Sequence, residues 1–164
     1  MGGWWAGKVR QFRRHLTGRV APAERTALAG WLTLAQMDLF EGMHRADQRH
    51  GLDVVASLRR AGHEDLELLL AGLLHDAGKG PRVGLWHRVA WSLGERYGSS
   101  VMGAARRLPG FATALESIQG HAARSATLAR AAGCTPRTVE LIRHQAAPLD
   151  PEHGEALRLA DEAN

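Results

Sequence analysis

The stretch Leu66-Glu67-Leu68-Leu69-Leu70-Ala71-Gly72-Leu73-Leu74-His75-Asp76-Ala77-Gly78-Lys79-Gly80-Pro81 decides how this chain is read. Its first half is rich in leucine, has no β-branched residue and does not alternate polar with apolar positions. It therefore predicts a helix over about Glu64 to His75, apolar on several faces, as a helix crossing the middle of a domain would be. Its second half ends that helix, because Gly78, Gly80 and Pro81 follow the His75-Asp76 pair.

The same helical period extends in both directions, and the expected fold class is all-α. Upstream, Val9 to Leu16 reads as an Arg-rich amphipathic helix stopped by Gly18, and Pro22 opens a second helix through Trp31. Thr33 is placed to cap a third helix running through Leu39 and Phe40 toward Met43. Asp47 is expected to cap a fourth, with His50 in its first turn, Val54, Val55 and Leu58 along one face, and a stop at Gly62. Downstream, Leu85 to Tyr97 is amphipathic, 99–109 has no clear period, and a long helix from Phe111 to Ala132 is interrupted near Gly120-His121. Thr135-Pro136 starts a helix that reaches His144, and a last helix from Pro151 or Glu152 carries Leu157, Leu159 and Asp161. A bundle of roughly seven to nine helices is the expectation. Residues 1–46 are N-terminal helices packing on or extending a domain at 47–164.

Composition narrows the function classes. At 164 residues the chain can bury a hydrophobic core without a covalent staple. Cys134 is its only cysteine, which excludes an internal disulfide and points to a reducing, cytoplasmic compartment. No secretory h-region is evident near Met1, and the longest apolar run falls short of the roughly 20 residues that cross a bilayer. A formal charge of +4, with Arg10, Arg13, Arg14 and Arg19 grouped near the start, suits anionic partners. Nucleic acid is compatible with that charge, although nothing in the basic N-terminal helix reads bases. Trp31, Trp86 and Trp91 fall at helical spacings as core residues, whereas Trp4-Trp5 could pack on a partner or a membrane surface.

Nine histidines are a surplus. A His-Asp pair alone carries little, but this one closes an apolar helix, is followed by Gly78 and Lys79, and has a helical His50 upstream and Asp161 far downstream. At a helix end the last turn can splay adjacent side chains toward one ion, with further ligands coming from other helices. Imidazole and carboxylate without thiolate suit manganese or iron first, with zinc, nickel, cobalt or magnesium as alternatives.

The set His50, His75-Asp76 with Gly78-Lys79, His121, His144 and Asp161 resembles the HD-domain phosphohydrolase superfamily, over about Asp47 to Asn164. The segment Leu-Leu-His-Asp-Ala-Gly-Lys is close to the HDIG variant, with Ala77 in place of Ile. Ala46-Asp47-Gln48-Arg49-His50-Gly51 also looks like a group of small bacterial HD proteins. The resemblance implies metal ligation by His50, His75, Asp76 and Asp161. It also implies a second ion held with His121 and His144, with Asp76 as the bridge. The activity implied is hydrolysis of a phosphoester or phosphoanhydride of a nucleotide-like small molecule, with the metals supplying hydroxide. Asp76 and Lys79 would be catalytic, Lys79 by holding a phosphate oxygen, while Arg49, Arg82, His87 and Arg88 are candidates for substrate phosphate. The Gly-Tyr-Pro motif of the HD-GYP group is missing, which disfavours cyclic di-GMP. The rival reading is a metal-containing module that binds a nucleotide or protein without turnover. Action on nucleic-acid ends is a further enzyme reading, and oligomeric state is left open.

Overall fold

The computed structural model describes residues 18–80 and 83–164, and every regular element among them is helical. Ten α-helices follow in order: α1 (Pro22–Ala29), α2 (Leu34–Glu41), α3 (Arg45–Arg60), α4 (Leu66–Leu74), α5 (Leu85–Tyr97), α6 (Ser99–Arg106), α7 (Phe111–Gln119), α8 (His121–Ala131), α9 (Pro136–Arg143) and α10 (His153–Glu162). A 3₁₀ turn, Ala77–Lys79, lies between α4 and α5. The count exceeds the expected roughly seven to nine for two local reasons. The segment without a clear period forms α6, and Gly120 divides the long helix into α7 and α8. The expected helix over Val9–Leu16, the arginines at 10, 13 and 14, Trp4-Trp5 and Arg82 lie outside the described residues.

The leucine run forms the central helix. Asp65 starts α4 by accepting from the Leu68 amide at 2.9 Å, and Leu68 through Leu74 are all buried. Each fully buried leucine contributes roughly 1.5–3 kcal/mol, so this stretch of about two leucine-rich turns dominates the main core. Helices α2, α3, α9 and α10 surround it, and α8 closes the core from the side of the 3₁₀ turn.

Helix α3 lies especially close to α4, for a reason visible at Gly51. A Cβ there would overlap the Leu73 carbonyl, so only glycine lets the two backbones approach this far. Thr33 and Thr135 cap α2 and α9 as their sequences predict, with Pro136 in the first turn of α9. The cap of α3 differs from the expectation. His44 takes that place, its Nδ1 accepting from the Ala46 amide at 3.2 Å. Asp47 is instead buried in the first turn and bound to an arginine, so His50 falls in the second turn.

Helices α5 to α7 form a smaller lobe around Val83, Ala105, Ala114, Leu115 and Ile118. Trp91 and Trp31 pack against the two cores as expected. Trp86 does not: it is 68% exposed, because the small lobe closes over Ala90 and Trp91 about one turn further along α5.

Candidate metal centre

The doublet lies where α4 gives way to the 3₁₀ turn. His75 is still helical (φ −56°, ψ −27°), but Asp76 has left the helix (φ −98°, ψ 1°), so neighbouring side chains turn toward one point. Both are buried, and Gln145 donates to the His75 carbonyl at 3.2 Å, fixing the doublet from the loop after α9. The His75 ring is oriented by its Nδ1–H, which donates to the Gly72 carbonyl at 2.9 Å. That bond leaves the Nε2 lone pair directed into the site.

Asp161, from α10, and His50, from α3, complete the near side. Their Oδ1 and Nε2 atoms are 2.8 Å apart, and the same Asp161 oxygen is 3.4 Å from His75 Nε2. His50, His75 and Asp76 each offer one ligand atom within 4.8 Å of the others. On the far side His121, the first residue of α8, brings Nε2 to 3.3 Å from Asp76 Oδ1, while its Nδ1–H donates to the Ile118 carbonyl at 2.5 Å. With that proton on Nδ1, an imidazole lone pair faces a carboxylate oxygen, so two acceptors are directed at one another.

The same contradiction recurs at the centre. His75 Nε2 and Asp76 Oδ1 are buried, 3.6 Å apart, and among the described residues neither has a hydrogen-bond partner. Unpaired buried polar atoms are costly, and such a pair is resolved by a cation or a proton between them. Electrostatics say the same. Burial alone would push the His75 pKa down, but the Asp76 and Asp161 carboxylates outweigh it and raise it to about 9. Burial likewise works against ionised Asp76 and Asp161. Lys79 and the surrounding histidines overcome it at Asp76, and His50 and His75 do so at Asp161, holding both below the usual carboxylate range. Burial lowers the pKa of His121, partly offset by Asp76, which keeps its lone pair available near neutral pH.

No protein-family model, curated protein or solved structure matches this chain.

The remaining sequence candidates divide clearly. Lys79 reaches the site, its Nζ 2.5 Å from Asp76 Oδ2. His144 is the C-cap of α9, where its Nε2 lies 3.2 Å from Glu140 Oε2, and among the described residues it is not grouped with His50, His75 and Asp76. The arginines are engaged elsewhere. Arg49 bonds Glu24 and Asp53. Arg88 forms a two-pronged pair with Asp47 at 2.7 and 2.6 Å and donates to the Val83 carbonyl, so it ties the small lobe to α3. His87 Nδ1 accepts from the Gly84 amide, and its ring stands edge-on to Phe111. Arg82 lies outside the described residues. Sequence reasoning missed Gln145, Ser125 and Arg124, which hold the doublet and its turn by backbone contacts.

Proposed function

We propose that the chain is a metal-dependent phosphohydrolase of the HD type, hydrolysing a phosphoester or phosphoanhydride of a nucleotide-like small molecule. On this reading its helices are an HD bundle. The observation that carries the reading is the pair of partnerless buried acceptors, His75 Nε2 and Asp76 Oδ1, enclosed by His50, Asp161 and His121. The residues present fit a divalent cation with nitrogen and oxygen ligands: His50, His75, Asp76 and Asp161 would hold it, and His121 with Asp76 Oδ1 offers a second position. When bound, such a cation acidifies water and neutralises charge on phosphoryl oxygens.

The chain's own groups do the rest. Gly72 and Ile118 carbonyls fix the tautomers of His75 and His121 so that Nε2 is the ligand atom in each. Lys79 is 18% exposed and positioned at the carboxylate edge, where its ammonium can hold a phosphoryl oxygen and offset the negative charge that grows there. The buried leucines behind the doublet exclude water from that side and strengthen each of these interactions.

The deciding experiment is metal content of the purified protein, with hydrolysis of a panel of phosphomonoesters, phosphodiesters and dinucleoside polyphosphates in added Mn²⁺. Bound metal with turnover lost in Asp76→Asn supports the hydrolase. Bound metal without turnover on any substrate favours the non-catalytic nucleotide-binding module. Failure to take up Mn²⁺, Fe²⁺ or Zn²⁺ would remove both.

A further inference from the structure

The turn bearing Asp76 and Lys79 is pinned to α8 through both backbone polar groups of one residue, Gly78. The Gly78 amide donates to Ser125 Oγ at 2.8 Å, and the Gly78 carbonyl accepts from Arg124 Nε at 3.0 Å. Arg124 also donates to the Ser117 carbonyl, so its guanidinium spans the α7–α8 corner. A Cβ at Gly78 would overlap the His121 carbonyl, the Ser125 amide and the Arg124 Cβ. Gly78 therefore lies directly on the first turn of α8.

Ser125 is wholly buried on the face that also presents Ala126 and Ala129 to the core. Packing alone would be met by alanine there. The hydroxyl has a different use: it accepts from the buried Gly78 amide, which an alanine at 125 would deprive of that hydrogen bond. The two ends of the 3.3 Å gap between Asp76 Oδ1 and His121 Nε2 are carried by the two segments that this clamp joins. Asp76 lies two residues before Gly78, and His121 lies one turn before Ser125.

We propose that Ser125 and Arg124 are positioning residues, which set the spacing of His121 from Asp76 and thereby the affinity with which His121 joins a bound cation. The proposal rests on the metal reading above. Neither residue touches the ligand atoms; both act through the backbone of the turn and of α8. Loss of such supporting bonds typically weakens metal ligation about 10- to 100-fold.

The test uses full-length protein with ¹⁵N-labelled histidine, stripped of metal and titrated with Zn²⁺ while ring nitrogen resonances are followed. Wild type, Ser125→Ala and Arg124→Gln are compared. Zn²⁺ should shift His50 and His75 at the same concentration in all three proteins. The His121 shift should need about tenfold more Zn²⁺ in both variants. A His121 response that saturates with wild-type affinity in both overturns the proposal. If Zn²⁺ moves no histidine in wild type, the metal reading fails, and the clamp is judged in the metal-free proteins. There the His121 ring should differ between wild type and variants while His50 and His75 stay put, and a coincident His121 overturns it. Should Ser125→Ala fail to fold, Arg124→Gln, an alteration nearer the surface, carries the same reading.

Discussion

Uptake of a divalent cation should expel a proton from His75. The imidazole is buried against two carboxylates, and although burial opposes its charge, Asp76 and Asp161 raise its pKa to about 9. At pH 7 the metal-free protein therefore holds nearly one full proton on the nitrogen that a cation would take. The folded pKa lies above the unfolded value of about 6.5. The proton's contribution to metal-free stability is thus complete below pH 6.5 and is lost as pH rises through about 9. Cation affinity has the opposite dependence: it should rise about tenfold per pH unit through neutrality and level off above pH 9. Isothermal titration with Mn²⁺ at pH 7, in buffers of different protonation enthalpy, should report about one proton released per cation. Release near zero, with affinity flat between about pH 6.5 and 8.5, would refute the argument that a proton stands in for the metal.

Three further outcomes follow from particular contacts. Gly51→Ala forces a Cβ into the Leu73 carbonyl and should cost about 1–3 kcal/mol in urea unfolding while weakening cation uptake, since it separates His50 from His75; unchanged uptake would mean that the α3–α4 approach does not set the site. Arg88→Met strands the buried Asp47 carboxylate and should destabilise by about 3 kcal/mol. A raised KM at unchanged stability would instead mark Arg88 as a substrate contact. The His44 pKa is lowered by burial and by the nearby Arg88 charge, and its neutral Nδ1 caps α3. Its contribution is therefore present above the unfolded pKa of about 6.5 and lost as pH falls through the lower folded value. His44→Asn, which caps without titrating, should lose about 1 kcal/mol less than wild type between pH 7 and pH 5, and equal losses would dismiss the cap as a titrating element.

The helical class and much of the site were legible because both rest on local signals. The Leu68–Leu74 run, Thr33 and Thr135-Pro136 each specify their element from within a few residues. The doublet's helix-end position was readable from Gly78 and Gly80. What was not legible depends on groups distant in sequence. Asp47 is a fair helix cap by composition, and only the approach of Arg88, 41 residues later, takes its carboxylate into the first turn. Trp86 has the right period for a core residue, but among the described residues no element covers that end of α5 as the small lobe covers Trp91. His144 has the right order along the chain, yet it pairs with Glu140 on its own helix, a contact at i,i+4 that no long-range pattern reveals. Ser125 left a faint trace, a polar residue on an otherwise alanine-lined face one turn after His121.

Charge balance then links the centre to the kind of ligand it would serve. Two carboxylates, Asp76 and Asp161, face the Lys79 ammonium and the protonated His75, so these four groups are electrically balanced without a metal. Exchanging the His75 proton for a divalent cation leaves one positive charge in excess, in a site walled by buried leucine, where charge is poorly screened. On the proposed function, an anionic phosphate would then be attracted more strongly to the cation-loaded centre. Lys79 lies on the Asp76 oxygen at the accessible edge, so the ammonium released from part of that pairing is already where the phosphate would arrive. Cation and phosphate should therefore bind with positive cooperativity, each neutralising charge that the other introduces, and Lys79 is the residue through which that coupling would pass.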